Sequence, residues 1–78
     1  MNTFYVQLTS INDVKQFVNA ACSQMCEIDI ISGRYTVDAK SIMGIFSIDL
    51  AKPIKIEVQG TEEEFNAFRN AVRTYIVD

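Results

Sequence analysis

The sequence predicts an α+β fold of two layers, in which helices cover one face of an antiparallel sheet. Apolar and polar residues alternate over several short segments, which is typical of half-buried strands. Two longer segments carry apolar residues at three- and four-residue steps, as amphipathic helices do. Along the chain these patterns give the order strand, helix, strand, strand, short helix, strand, helix.

Length and charge limit the class of protein. Residues 1–78 are expected to form one domain, because a chain of 78 residues leaves no room for a second core. The net charge of −3 argues against nucleic-acid binding, which needs a basic face. No apolar run approaches the roughly 20 residues that cross a bilayer, and no secretory signal is visible at the N-terminus. We expect a cytoplasmic protein without membrane insertion, and a monomer.

Residues 1–25 are predicted to form a strand followed by a helix. Phe4, Val6 and Leu8 alternate with polar or amphipathic residues and indicate a strand. Ser10, with Asp13 three residues later, resembles a capping box and marks the start of a helix. The helix is expected to run to about Met25, and its apolar stripe comprises Ile11, Val14, Phe17, Val18, Ala21, Cys22 and Met25.

The remaining regular elements lie on either side of the central segment. A β-hairpin is predicted over residues 28–39, with Gly33 in its turn. A further strand follows Pro53 and extends from Ile54 to Val58. Thr61 and Glu64 predict a capping box at the start of the last helix. The apolar stripe of that helix comprises Phe65, Phe68, Ala71, Val72, Tyr75 and Ile76.

The central segment, residues 39–50, is more apolar than a short helix can bury. Ser41 is a suitable N-cap for a helix of about two turns. Such a helix cannot cover all of its large apolar residues, which are Ile42, Met43, Ile45, Phe46, Ile48 and Leu50. We expect Ile45 and Ile48 to enter the core and others to stay near water. An apolar patch of this kind on a small protein indicates a docking surface.

Residues for catalysis are missing from the sequence. The absence of histidine excludes phosphohistidine chemistry and histidine-ligated metals. Cys22 and Cys26 have no further soft ligands to complete a zinc site. Three scattered glycines cannot form a phosphate-binding loop. We expect neither a cofactor nor a metal, and we do not expect an enzyme.

The central segment also resembles that of a known family. Residues 40–44 read Lys-Ser-Ile-Met-Gly, residues 16–18 read Gln-Phe-Val, and Gly60 precedes the last helix. In type and spacing these segments resemble HPr, the phosphocarrier of the bacterial sugar phosphotransferase system. The resemblance implies an HPr-like open-faced sandwich of order βαββαβα. It also implies a four-stranded antiparallel sheet in the order 1-4-2-3, with the helices on one face.

The chain departs from the family at the carrier motif Gly-x-His-x-Arg-Pro. Ser10 stands at the histidine position, Asn12 at the arginine position and Asp13 at the proline position. A serine phosphate ester is too stable to pass its phosphate on, and the Asp13 carboxylate would repel a phosphate dianion. The resemblance therefore implies a member without the carrier histidine, acting as a regulatory or protein-binding module. The alternative is an atypical carrier that accepts phosphate on Ser10 or another hydroxyl.

Ser41 matches the serine that a dedicated kinase phosphorylates in Gram-positive members of the family. The resemblance implies regulatory phosphorylation of Ser41, although a plain helix cap is an equally simple interpretation. It also implies protein partners of the HPr type: the first enzyme of the relay, HPr kinase and a transcriptional regulator. The residues expected to bind such a partner are Ile42, Met43, Phe46 and Ser47. Self-association through the same patch is the remaining alternative.

Overall fold

The computed structural model describes residues 2–77 and has the predicted alternation of strands and helices. In β1, α1, β2, β4 and α3 the buried residues belong to the apolar sets that predicted these elements. The elements are β1 (Thr3–Val6), α1 (Ile11–Cys22), β2 (Glu27–Ser32), β3 (Tyr35–Asp38), α2 (Ile42–Phe46), β4 (Ile54–Gln59), α3 (Glu62–Ala71), a 3-10 turn (Arg73–Tyr75) and β5 (Ile76–Val77).

The strands form one antiparallel sheet in the order β3-β2-β4-β1-β5. The predicted order 1-4-2-3 is confirmed for the first four strands. The prediction of only four strands was wrong, because β5 pairs with β1, with Val77 opposite Tyr5 and Ile76 opposite Val6. The β-branched residues Ile76 and Val77 favour a strand, and they complete the otherwise unpaired edge of β1.

Both long helices end earlier than their apolar stripes suggest. Helix α1 stops at Cys22 instead of Met25, and Ser23 follows as its C-cap with its hydroxyl donating to Ala20 O at 2.7 Å. Ile11 and Met25, expected within the stripe, are exposed. Helix α3 stops at Ala71, since the backbone leaves helical geometry at the next residue. In each predicted stripe, therefore, the fully buried residues lie near the middle of the stripe.

The core lies between the sheet and the helices and is centred on aromatic rings. Phe68 of α3 contacts Phe4 of β1 and Phe17 of α1, with ring centroids 6.1 Å and 5.5 Å apart. Each fully buried large apolar side chain contributes about 1.5–3 kcal/mol to folding. The fully buried side chains are Val6, Val14, Phe17, Ile28, Ile30, Ile45, Ile54, Ile56, Val58, Phe68 and Val72.

Two connections position the segments that carry the predicted site. In the β2–β3 turn, Gly33 has φ +59, a left-handed conformation that glycine adopts without strain. Helix α2 packs against α1 and β3. Lys40, just before α2, donates from Nζ to Gln24 O at 2.9 Å and so joins the start of α2 to the loop after α1.

Candidate functional site

The start of α1 is built as a helix cap. Ser10 has an extended backbone (φ −139, ψ 163), and its hydroxyl accepts a hydrogen bond from Asp13 N at 3.0 Å. The bond satisfies one of the free N–H groups of the first turn. The predicted capping by Ser10 is therefore confirmed, and the hydroxyl is already engaged as an acceptor.

The Asp13 carboxylate closes this cap in an unexpected way. The predicted capping box would bring it back to the N–H of Ser10, but its Oδ2 instead accepts from Thr9 N at 3.0 Å and from Thr9 Oγ1 at 2.9 Å. The short aspartate side chain reaches one residue beyond the cap. Hydrogen bonds from the Thr9 N–H and hydroxyl lower the pKa of Asp13 below its ordinary value of 3.8. Thr9 was not among the residues predicted for this cap, although a threonine before a Ser-x-x-Asp cap is a readable signal.

The charge at this end of α1 is therefore negative. Asp13 is ionised at neutral pH, and the first turn, residues 11–14, contains no basic residue. Asn12, at the position where the resemblance places an arginine, is exposed. A phosphate group at Ser10 would meet a carboxylate and no cation in this turn.

The start of α2 is a second serine cap. Ser41 is exposed, and its hydroxyl accepts from Gly44 N at 3.2 Å. The preceding turn is held by Asp38, whose backbone O accepts from Ser41 N at 3.0 Å and whose Oδ1 accepts from Lys40 N at 2.9 Å. The predicted capping by Ser41 is confirmed, and its hydroxyl lies within reach of solvent.

Helix α2 buries one side and leaves an apolar side exposed. Ile45 is fully buried, as predicted, while Met43 is 77% and Phe46 45% exposed. Ser47 is exposed beside them. Ile42, which we expected near water, is half-buried and packs against the core, because α2 lies against α1 and β3. We call Ile42, Met43, Phe46 and Ser47 together the α2 surface.

The two cysteines do not form a metal centre. Cys22 is exposed and Cys26 is buried, and both thiols are free. Within residues 2–77 no three side chains of histidine, cysteine, aspartate or glutamate are grouped to hold a metal ion. Nor does any helix in this range have the length and apolar character needed to span a membrane.

Comparisons with known proteins identify the family of this chain. The family model described as the PTS HPr component phosphorylation site matches residues 12–77. The chain belongs to the HPr family. Members of this family are phosphocarriers of the phosphotransferase system and not enzymes. No curated protein matches this chain at a significant level.

Solved HPr structures share the fold of this chain. HPr from Bacillus anthracis str. Ames, a phosphocarrier protein, has 32% identity and a TM-score of 0.68, covering 90% of this chain and 94% of that chain. HPr-C-His from Thermoanaerobacter tengcongensis has 23% identity and a TM-score of 0.74, covering 95% and 93%. A histidine-containing phosphocarrier protein of Mycoplasma has 18% identity and a TM-score of 0.72, covering 97% and 99%. The last two comparisons show the fold alone.

The family membership implied by the sequence resemblance is thus confirmed. The matched HPr segment begins at Asn12, two residues after Ser10, and the 78-residue sequence contains no histidine. The functional roles expected for Ser10, Ser41 and the α2 surface rest on resemblance and geometry.

Proposed function

We propose that this protein is a regulatory, protein-binding member of the HPr family that docks through the α2 surface and does not carry phosphate. The observation that carries this proposal is the exposure of Met43 and Phe46 on α2 in a chain without histidine. Large apolar side chains exposed side by side on a small protein favour a protein interface.

The start of α1 supports the loss of carrier chemistry. A phosphocarrier needs a nitrogen that holds phosphate as a labile phosphoramidate, and Ser10 offers only an alcohol, which would form a stable ester. The ionised Asp13 carboxylate lies in the same turn as the Ser10 hydroxyl and disfavours a second anion there. These two features argue against the alternative that Ser10 accepts phosphate from the relay. We also propose that the protein has no enzymatic activity of its own, because members of its family are phosphocarriers and not enzymes.

The chemistry of the α2 surface fits a partner with an apolar pocket. Met43 is flexible and can adapt to a pocket, and Phe46 offers a rigid ring. The buried Ile45 and the half-buried Ile42 fix α2 on the core, so the exposed side chains are presented from an ordered helix. The partners we propose are those of HPr proteins: the first enzyme of the relay, HPr kinase and a transcriptional regulator.

Phosphorylation of Ser41 is proposed as the control of this docking. Its hydroxyl is exposed and lies at the end of α2 that begins with Ile42 and Met43. A phosphate there would add a charge of about −1.5 to −2 next to the apolar side chains. Partners with a basic pocket would then bind more tightly, and partners with a purely apolar pocket would bind more weakly. We also propose a cytoplasmic location, because two free thiols in a short chain are usual in reducing compartments.

Calorimetry with the three HPr partners tests this proposal. We expect at least one of them to bind the wild-type protein. Met43→Asp should weaken that binding by at least about tenfold, because it places a charge in an apolar contact. Ala67→Asp is the matched control, since Ala67 is an exposed residue of α3 and should leave the affinity unchanged. Equal binding of the wild-type protein and Met43→Asp, or no binding to any of the three, contradicts the proposal.

A further inference from the structure

A cleft that shares only Ser47 with the α2 surface opens where the β2–β3 turn approaches the loop before β4. Its volume is about 550 Å³, within the range of about 300–1,000 Å³ that is usual for small-molecule sites. The β2–β3 turn contributes Arg34, the loop before β4 contributes Asp49 and Lys52, and the sheet contributes Tyr5, Tyr35 and Lys55. We call this the turn cleft.

Strand register fixes the floor of the turn cleft. Lys55 of β4 stands directly opposite Tyr5 of β1 on one side and Ile31 of β2 on the other. Residues opposite each other on neighbouring strands share a face of the sheet, with Cβ atoms about 4.5–5.5 Å apart. The floor is therefore an ammonium group flanked by an aromatic ring and an aliphatic side chain, all three held by the sheet.

The turn cleft concentrates positive charge in an acidic protein. Arg34, Lys52 and Lys55 line it, against one carboxylate, that of Asp49. The whole chain has 7 basic and 10 acidic residues, so this local excess of cations runs against the overall charge. Elsewhere Lys40 and Arg73 donate hydrogen bonds to protein groups. Within residues 2–77 no such bond engages Arg34, Lys52 or Lys55, whose charges remain available to a ligand.

Two tyrosines give the turn cleft aromatic surface. Tyr35 is 70% and Tyr5 48% exposed, and both line the cleft. A large aromatic ring left open to water beside cations can stack on a planar ring of a ligand. Cations alone would select any anion, whereas cations together with tyrosine rings select an anion that carries a flat ring. Guanidinium and ammonium groups are the usual partners of phosphate oxygens.

We propose that the turn cleft binds a nucleoside monophosphate. The phosphate lies between Arg34, Lys52 and Lys55, and the base stacks on a tyrosine ring. The site shares Ser47 with the α2 surface but includes neither Met43 nor Phe46, and neither proposal depends on the other. A cleft this open holds its ligand weakly, so the dissociation constant lies in the high-micromolar to millimolar range.

NMR titration of the ¹⁵N-labelled protein tests this proposal, with AMP, ribose 5-phosphate and inorganic phosphate as probes. We expect AMP to shift the amide signals of Gly33, Tyr35 and Lys55, and to bind several-fold more tightly than the two probes that lack a base. The double variant Arg34→Gln, Lys52→Gln should weaken AMP binding by about tenfold or more. Lys15→Gln, which removes an exposed lysine of α1, is the matched control and should bind AMP like the wild-type protein.

A second variant tests the stacking separately. Tyr35→Leu should weaken the binding of AMP and leave that of ribose 5-phosphate unchanged, and a thermal melt should verify that both variant proteins are folded. The absence of AMP-dependent shifts at the turn cleft overturns the proposal. AMP binding that survives the double variant also overturns it, as does binding of inorganic phosphate as tightly as AMP.

Discussion

Asp13 accepts two hydrogen bonds from Thr9, one from the backbone N–H at 3.0 Å and one from the hydroxyl at 2.9 Å. Together with the bond from Asp13 N to the Ser10 hydroxyl, they close the turn that leads into α1. The resemblance to HPr predicts that this turn corresponds to the carrier motif, which has a histidine and an arginine. Here its polar groups bond to one another, so the turn serves the stability of the helix start.

This arrangement predicts a pH-dependent contribution to stability. Because the folded-state pKa of Asp13 is lowered below 3.8, its contribution is complete above that pH and is lost as the pH falls through the lower folded value. Asp13→Asn should therefore reduce the urea midpoint at neutral pH, and its deficit against the wild-type protein should shrink at pH values below 3.8. Urea unfolding followed by circular dichroism measures this deficit at each pH.

Glu27→Gln removes another carboxylate, at an exposed position of β2, and is the control for loss of charge in general. A deficit of Asp13→Asn that is constant from neutral to strongly acidic pH would show that the two bonds to Thr9 do not depend on the charge of the carboxylate.

The elements that the sequence predicts best are those with strong local signals. Strand β4 and the start of α3 match the sequence prediction, since alternation and a capping box are local signals. The capping box is present as predicted, with Thr61 N donating to Glu64 Oε1 at 2.9 Å and Glu64 N to Thr61 Oγ1 at 3.1 Å. Strand β5 was not predicted because Ile76 also fits the apolar stripe of the last helix. Only the pairing with the free edge of β1 distinguishes a strand from a longer helix at this position.

Truncation of two phenylalanines, Phe68 and Phe46, should distinguish the core from the proposed docking surface. Phe68→Ala should cost about 3–5 kcal/mol, because Phe68 is fully buried between Phe4 and Phe17 and its removal leaves a cavity. A small domain has only about 5–15 kcal/mol of stability, so this variant should be largely destabilised. Chemical denaturation measures the difference in free energy of unfolding.

Phe46→Ala is the matched variant on the α2 surface. Since Phe46 is 45% exposed, its truncation should change the free energy of unfolding far less than Phe68→Ala and should weaken partner binding. A loss of stability as large as that of Phe68→Ala would place Phe46 in the core and would remove it from the docking surface.

Two glycines should respond oppositely to a methyl group. A Cβ at Gly60 would lie 2.7 Å from Glu64 Oε1 and 2.8 Å from Cys26 Cβ, so Gly60→Ala should destabilise the protein by about 1–3 kcal/mol. A Cβ at Gly44 would lie 3.4 Å from its nearest neighbours, Ser41 Oγ and Val37 Cβ, which is ordinary contact. Gly44→Ala should therefore be neutral or stabilise α2 by up to about 1 kcal/mol.

Thermal unfolding of both glycine variants measures this difference. An equal loss of stability in the two variants would mean that the close approach of Gly60 to Cys26 is not a constraint of the folded protein.

Surfaces that depend on strand register could not be predicted from the sequence. The α2 surface could be predicted, because its apolar residues are adjacent in sequence and exceed what a short helix can bury. The turn cleft could not, because Tyr5, Arg34 and Lys55 lie on different strands or turns and meet only through the pairing of β1, β2 and β4. Half-burial of Ile42 was missed for a similar reason, since it depends on how α2 packs against α1 and β3.

Introducing the carrier motif is the positive control for the claim that this protein does not carry phosphate. The triple variant Ser10→His, Asn12→Arg, Asp13→Pro supplies the ring nitrogen, the cation and the proline of the motif on the same scaffold. We expect this variant, if folded by circular dichroism, to gain an acid-labile phosphate when incubated with the first enzyme of the relay and phosphoenolpyruvate.

The wild-type protein in the same reaction tests most directly whether this family member carries phosphate. Intact-mass spectrometry before and after acid treatment, with an ordinary histidine-bearing HPr labelled in parallel, reports any transferred phosphate. We predict that the wild-type protein acquires none while the ordinary HPr is labelled. Enzyme-dependent phosphorylation of the wild-type protein, at Ser10 or at any other residue, would contradict the conclusion that this HPr family member binds partners without carrying phosphate.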